Sequence, residues 1–165
     1  MIEVKVANLA IDRSTNTPIV VLQERDGDRR LHIWIGPAEA SAIAMELAGV
    51  KFSRPLTHDL VKQIIVGLAA ELKQVLITRV EENTYYAELH LHRNGDIVHI
   101  DARPSDSIAV ALRLSAPIFT DESLLEDSTP DSFDPMPIDP DPVDPDSLKT
   151  YLENLDPEDF GKFTP

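Results

Sequence analysis

The sequence predicts an α+β domain in which a largely antiparallel mixed sheet packs against about three helices. An acidic, proline-rich C-terminal tail ending in a short helix is expected to follow. Several short segments alternate apolar and polar residues with a period of two, whereas three others repeat apolar residues at helical spacing. The predicted strands and helices are grouped along the chain instead of strictly alternating, which is typical of α+β domains.

The N-terminal half indicates a three-strand meander followed by two helices. A first helix should start at Pro37, which suits the first helical position, and should end near Gly49. A second helix should start near Thr57. The strands are expected at 2–10, 18–24 and 31–35. The apolar stripe of the second helix is expected to comprise Leu60, Ile64, Ile65, Leu68 and Leu72.

The next segments indicate a strand, a hairpin, a helix and a short closing strand. Asn94 and Gly95 form the hairpin signal, because both central positions of a type I′ turn need a positive φ. A third helix should follow Pro104. The strands are expected at 75–80, 85–93, 96–101 and 117–119.

Negative charge is concentrated at the C-terminal end of this chain, whose net charge is −14. Residues 1–120 hold 13 Lys and Arg against 15 Asp and Glu, a net charge of −2. Residues 121–165 hold 2 against 14, a net charge of −12. We therefore predict a folded domain over 1–125 and a solvated Asp-Pro linker over 126–145. A short amphipathic helix and tail should occupy 146–165, with an apolar face formed by Leu148, Leu152 and Leu155.

The composition and the N-terminal residues also bear on the cellular location of the protein. The chain has no cysteine, so it has no disulfide framework and no cysteine-based metal site. Its N-terminal residues do not resemble a signal peptide, and no apolar run has membrane-spanning length. We expect a cytoplasmic protein with no membrane partner.

Two short polar strings are the most informative feature of the chain. Residues 54–59 (Arg-Pro-Leu-Thr-His-Asp) and 101–106 (Asp-Ala-Arg-Pro-Ser-Asp) each combine an arginine, a proline, a hydroxyl and an aspartate before a helical pattern. Helix starts attract anions, so the strings can form polar sites. A purely structural interpretation is that Thr57 and Ser105 are N-caps and that the aspartates complement the helix dipole.

These strings resemble signatures of the bacterial and plant bifunctional nuclease domain family. The resemblance extends to residues 33–36, 39–40, 43–44 and 116–119, and it covers roughly residues 1–125. It implies an α+β fold, a homodimer and action on both RNA and DNA. Some family members carry a C-terminal UvrB/UvrC-type motif, whereas the acidic tail stands in that place here.

The residues of the two strings suit phosphodiester hydrolysis. The candidate catalytic residues are His58, Asp59, Asp101 and Asp106, since a histidine can exchange protons near neutral pH. The three aspartates are also candidate ligands for Mg²⁺ or Mn²⁺. The candidate substrate-binding residues are Arg54, Arg103, Thr57 and Ser105, with the arginines clamping a phosphate. Alternatively, the arginines pair with the aspartates and hold loops together.

A second candidate metal site lies on the predicted hairpin. If Asn94 and Gly95 form a two-residue turn, His90 faces His99, and both share a sheet face with Glu88 and Asp101. Two histidines and two carboxylates can bind a transition metal. The alternative is a solvated polar face, which would also contain His92.

Two other residues have both functional and structural interpretations. Trp34 can stack on a base, although a strand aromatic is more often part of a core or an interface. Glu39 is explained by capping at a helix start.

Two functions therefore follow from the sequence. The first is a nuclease that hydrolyses phosphodiester bonds in RNA or DNA. The second is a non-enzymatic binding or regulatory module for a protein or a small anionic ligand.

Overall fold

The computed structural model describes residues 1–127 and 133–136, and it has the predicted α+β architecture. Each of the three α-helices in these residues has 11 residues. The elements are β1 (Ile2–Asp12), β2 (Thr17–Glu24), β3 (Arg30–Trp34), α1 (Pro37–Leu47), α2 (Thr57–Gly67), β4 (Glu71–Glu81), β5 (Thr84–Arg93), β6 (Asp96–Ala102), α3 (Pro104–Leu114), β7 (Ile118–Thr120), a 3₁₀ turn (Glu122–Leu124) and β8 (Asp134–Pro135).

The strands form one mixed sheet that is mostly antiparallel. Its order is β3-β2-β1-β7-β4-β5-β6, and β8 pairs with β1 outside this path. The β4–β7 pair is parallel, because α3 forms part of the connection that returns the chain to the centre of the sheet. The other pairs are antiparallel, which confirms the predicted sheet type.

The β5–β6 hairpin has the predicted turn and register. Asn94 has a φ of 53° and Gly95 a φ of 91°, as the two central positions of a type I′ turn require. Arg93 therefore pairs with Asp96, and the register continues along both strands. This turn determines which side chains face each other across the hairpin.

The main core lies between the sheet and the helices. Helix α3 contributes the fully buried residues Ile108, Ala109 and Ala111, and it packs against α1, α2, β4 and β5. The predicted stripe of α2 is mostly wrong, because Ile65 is the buried residue of that helix. α2 contacts α3 and β4 from the periphery, so the outer part of the stripe faces solvent. The exposed members are Leu60, Ile64 and Leu68, while Leu72 is a buried residue of β4.

A short segment beyond residue 127 covers part of the other sheet face. Phe133 packs against Ala10, Ile19 and Val21, and the Met136 N–H donates to the Leu9 carbonyl at 2.8 Å. The prediction of a solvated linker is therefore wrong for residues 133–136, because apolar burial holds them against the sheet. The rest of the predicted linker over 128–145 and the helix over 146–165 lie outside the described residues. No helix in the described part of the chain has the length and apolarity to cross a bilayer.

One buried arginine joins all three helices. The Arg113 side chain is only 4% exposed, and its Nε donates to the Asp59 carboxylate of α2 at 2.6 Å. Its two remaining nitrogens donate to the Ala42 carbonyl of α1 at 3.2 Å and to the Ala109 carbonyl of α3 at 2.9 Å. The guanidinium charge is thus both neutralised and hydrogen-bonded, as burial of a charge requires.

Replacing Asp59 with alanine should lower the free energy of unfolding by about 3 kcal/mol, because the buried Arg113 charge loses its hydrogen-bonded carboxylate and keeps only Glu46, at 4.0 Å. Urea denaturation measures this loss. Glu71→Ala is the matched control, since Glu71 pairs with Lys73 at the surface and its removal should change stability little. Equal losses for the two variants would contradict the assigned role of Arg113.

Candidate active site

The two polar strings meet because each one ends in a helix and the two helices pack together. Residues 54–59 lead into α2, and residues 101–106 contain the end of β6 and the start of α3. His58 in the first turn of α2 contacts Asp106 in the first turn of α3, with 3.0 Å between His58 Nε2 and Asp106 Oδ1. The packing of α2 on α3 therefore brings together one acid–base candidate from each string.

Asp106 lies at the centre of a chain of four polar side chains. Its second oxygen, Oδ2, accepts a hydrogen bond from Arg103 Nε at 2.7 Å. Arg103 Nη2 also lies 2.9 Å from the Glu39 carboxylate at the start of α1. The resulting chain, His58–Asp106–Arg103–Glu39, links the N-terminal turns of α2, α3 and α1. Opposite charges alternate along the last three members, so each carboxylate has a cationic partner.

The Asp106 carboxylate is held in its ionised form. Burial raises its pKa, but the hydrogen bonds from Arg103 and His58 outweigh burial and leave the pKa below its ordinary value. An ionised Asp106 accepts a hydrogen bond from His58 Nε2, which places a proton on that nitrogen. His58 Nδ1 has no hydrogen-bond partner among the described residues. The geometry therefore orients an imidazole whose second nitrogen can accept a proton.

Asp59 points to the other end of the α2–α3 contact. Its Oδ1 accepts from Arg113, and its Oδ2 accepts from the backbone N–H of Leu56 at 3.0 Å. Burial raises the Asp59 pKa, but these two hydrogen bonds and the Arg113 charge leave it lowered. Both oxygens are thus used in joining helices and in satisfying the start of α2. The structural interpretation of the arginine–aspartate pairs fits Asp59 better than a direct role in chemistry.

Thr57 and Ser105 are not the N-caps of α2 and α3. The N-cap of α2 is Leu56 and that of α3 is Arg103, and neither N-cap residue accepts a hydrogen bond through its side chain. The interpretation of Thr57 and Ser105 as N-caps is therefore wrong, because each helix begins at or before these residues. Thr57 is exposed beside His58, whereas Ser105 is buried.

Arg54 is the least constrained member of the two strings. It is exposed, and it makes no hydrogen bond or ion pair within residues 1–127 and 133–136. A phosphate would therefore not have to displace a protein carboxylate from it. Arg103 is also largely exposed, but it already contacts two carboxylates.

Asp101 belongs to a different face of the sheet. It pairs with Glu88 across the β5–β6 hairpin, and strand alternation places it on the same face as His99. The helices cover the opposite face, where Leu89 and Leu91 are buried. In the described ranges, the group of three metal-capable side chains whose ligand atoms all lie within 4.8 Å is Glu88, His90 and His99. The metal role of Asp59, Asp101 and Asp106 stays a prediction.

Sequence reasoning missed two participants in this network. Capping does not account for Glu39, whose carboxylate pairs with Arg103. Arg113 lies seven residues after Asp106 and so on the same face of α3. The seven-residue spacing is the signal in the sequence, because it places Asp106 and Arg113 two helical turns apart on the face of α3 that contacts His58 and Asp59.

Trp34, a candidate for stacking on a base, lies at the far edge of the sheet, where its Nε1 donates a hydrogen bond to Asp12 Oδ2 at 3.0 Å.

Comparisons with known proteins show the family to which the chain belongs. The bifunctional nuclease domain model matches residues 20–132, and the chain belongs to that family. The chain is 41% identical over 162 residues to an uncharacterised protein of Mycobacterium tuberculosis, covering 96% of this chain and 97% of that protein.

Plant relatives carry the family's descriptive name. The chain is 33% identical over 129 residues to Bifunctional nuclease 2 of Oryza sativa subsp. japonica, covering 76% of this chain and 40% of that protein. It is 31% identical over 105 residues to Bifunctional nuclease 1 of Arabidopsis thaliana, covering 61% and 32%. The matched region thus spans less than half of each plant protein.

The pKa of Asp106 predicts how stability changes with acidity. Folding lowers the pKa of the Asp106 carboxyl from its ordinary value of 3.8. The ionised carboxylate therefore stabilises the fold above that pH, and this contribution is lost as the pH falls through the lower pKa of the folded state. Wild type should therefore be more stable than Asp106→Asn at pH 7, and the difference should shrink below about pH 4. Urea denaturation of both proteins across this range tests the sign. A difference that grows on acidification would refute it.

Proposed function

We propose that this domain hydrolyses phosphodiester bonds in RNA or DNA, with His58 as the acid–base residue. The observation that carries the proposal is the 3.0 Å contact between His58 Nε2 and Asp106 Oδ1, in a chain of the bifunctional nuclease family. A carboxylate that holds one imidazole nitrogen leaves the other oriented for proton transfer. Asp106 acts here as the positioning residue.

The reaction can be written with one proton moving through His58. His58 Nδ1 takes a proton from a water molecule as the water oxygen forms a bond to phosphorus. The phosphorus–oxygen bond to the leaving sugar then breaks, and the imidazolium returns the proton to that oxygen. Asp106 stabilises the transient positive charge on the ring, because its carboxylate is ionised and hydrogen-bonded to Nε2.

The arginines supply the groups that contact phosphate in this proposal. Arg54 is exposed at the same end of α2 as His58. Arg103 presents its guanidinium beside Asp106. A guanidinium can donate two parallel hydrogen bonds to a phosphate and offset charge that builds up on the phosphoryl oxygens. Thr57, exposed next to His58, offers a further donor.

The aspartates of this site do not fit Mg²⁺ or Mn²⁺ as arranged. Each oxygen of Asp59 and of Asp106 already accepts from an arginine, a histidine or a backbone N–H. A hard cation needs several free oxygen ligands, which this arrangement does not supply. We therefore derive no step through a metal here, and dependence on Mg²⁺ or Mn²⁺ stays a prediction for the cleavage assay.

The same ionic pairing favours a second function. A network in which Arg103, Asp106 and Glu39 satisfy one another also serves to hold three helices together. In that case the domain is a binding module for a protein or an anionic ligand. A purified domain that binds RNA or DNA without cleaving it would favour this alternative.

His58→Ala and Asp106→Asn should each lower the cleavage rate by at least about a hundredfold, because each disrupts proton transfer. The measurement is single-turnover cleavage of labelled RNA and DNA, with and without Mg²⁺ or Mn²⁺. His92→Ala, on the other sheet face, is the matched control and should retain the wild-type rate. Identical purification of all variants excludes a contaminating nuclease, and unchanged rates in folded His58→Ala would eliminate the catalytic role.

We also propose a homodimer that buries the exposed apolar face of α2. Leu60, Ile64 and Leu68 are 49%, 51% and 52% exposed, which is unusual for a helix with an apolar stripe. Ile64→Glu should shift the protein to monomer in sedimentation equilibrium, because it places a charge in the interface. Gln63→Glu, at an exposed position of the same helix outside the Leu60, Ile64 and Leu68 set, controls for the one added charge. A wild-type protein that stays monomeric at high concentration would contradict the proposal.

A further inference from the structure

A second cluster of titratable side chains lies on the sheet face away from the helices. Glu88 and His90 are on β5, and His99 is on β6 directly opposite His90. The register set at the Asn94-Gly95 turn makes this pairing possible. The cluster is therefore separate from His58 and Asp106, which lie where α2 packs on α3.

The three side chains converge on a small volume. The Glu88 Oε2 atom lies 3.1 Å from His90 Nε2 and 3.8 Å from His99 Nδ1. With metal–ligand bonds of about 2.0 to 2.2 Å, the ligand atoms of a tetrahedral zinc ion are about 3.3 Å apart. The observed distances bracket that value, so the three side chains lie close enough together to share one ion.

A neighbouring strand supports the orientation of one ligand. Gln74 on β4 pairs with His90, and its amide nitrogen lies 3.3 Å from His90 Nδ1. The oxygen and nitrogen of such an amide are assigned from their contacts, so a turn of the amide lets Gln74 accept from a protonated Nδ1. That arrangement leaves Nε2 free to bind a metal and matches the usual support of a metal-bound histidine.

The two imidazole rings of the cluster stack on each other. Their centroids are 3.9 Å apart and their planes differ by 12°. A metal lies near the plane of each histidine that binds it, so one ring must leave the stack. His99 can do this because its side chain is 56% exposed, whereas His90 at 13% is held in place. Asp101, opposite Glu88 on the same face, can supply a carboxylate oxygen as the fourth ligand.

We propose that Glu88, His90 and His99 form a binding site for a divalent transition-metal ion of the zinc class. Two imidazole nitrogens and one carboxylate favour such an ion over Mg²⁺, which prefers oxygen ligands. The fourth position is filled by Asp101 or by water. This site goes beyond the proposed nuclease function and does not depend on it.

Zinc titration of the full chain against a fluorescent chelator tests the site. Wild type should bind one equivalent that a large excess of Mg²⁺ does not displace. Glu88→Gln, His90→Ala and His99→Ala should each weaken binding by at least about tenfold, and Gln74→Leu by a similar factor through the lost support. His92→Ala, from the same strand face, is the matched control and should bind like wild type.

The triple variant Glu88→Gln, His90→Ala, His99→Ala keeps the acidic tail, so it measures zinc bound by surface carboxylates alone. Equal affinity and stoichiometry for this variant and wild type would overturn the proposal. If a variant fails to fold, proton NMR of the wild-type histidine rings decides instead. Zinc should shift the signals of His90 and His99 and leave those of His58 unchanged, and any other pattern rejects the site.

Discussion

The buried guanidinium of Arg113 is the constraint on which the helical layer depends. It lies at the C-terminal end of α3 and contacts Asp59 of α2 and the Ala42 carbonyl of α1. Charge burial is costly without a carboxylate and full hydrogen bonding, so alternative placements of these helices are strongly disfavoured. The first turn of α2 is then fixed against α3, and His58 is placed beside Asp106.

This arrangement explains how adjacent residues can have different roles. Asp59 contacts Arg113, whereas its neighbour His58 contacts Asp106 seven residues earlier on α3. The first contact joins helices, while the second leaves an imidazole nitrogen available. A chemical role for His58 therefore depends on the contact by which Asp59 holds α2 against α3. Substitution of Asp59 or Asp106 would change the stability of the domain as well as the rate of any reaction.

The two faces of the sheet carry different chemistry. The face beneath the helices is apolar, and its polar site forms only where the helix ends meet. The opposite face around β5 is polar and carries the Glu88, His90 and His99 cluster. Because side chains alternate along a strand, Asp101 joins this second face although it belongs to the same polar string as Asp106.

Local patterns in the sequence determined the elements of this protein and the hairpin register. The alternation of β5 and β6 and the Asn94-Gly95 turn depend on neighbouring residues, so His90 could be placed opposite His99 without a structure. Long-range packing decided the rest. The exposure of Leu60 and Ile64, the pairing of Glu39 with Arg103, and the burial of Arg113 all depend on how α1, α2 and α3 meet. These contacts join residues far apart in the chain. Spacing within α3 places Asp106 and Arg113 on one face, but only the packing of the helices decides which residues they contact.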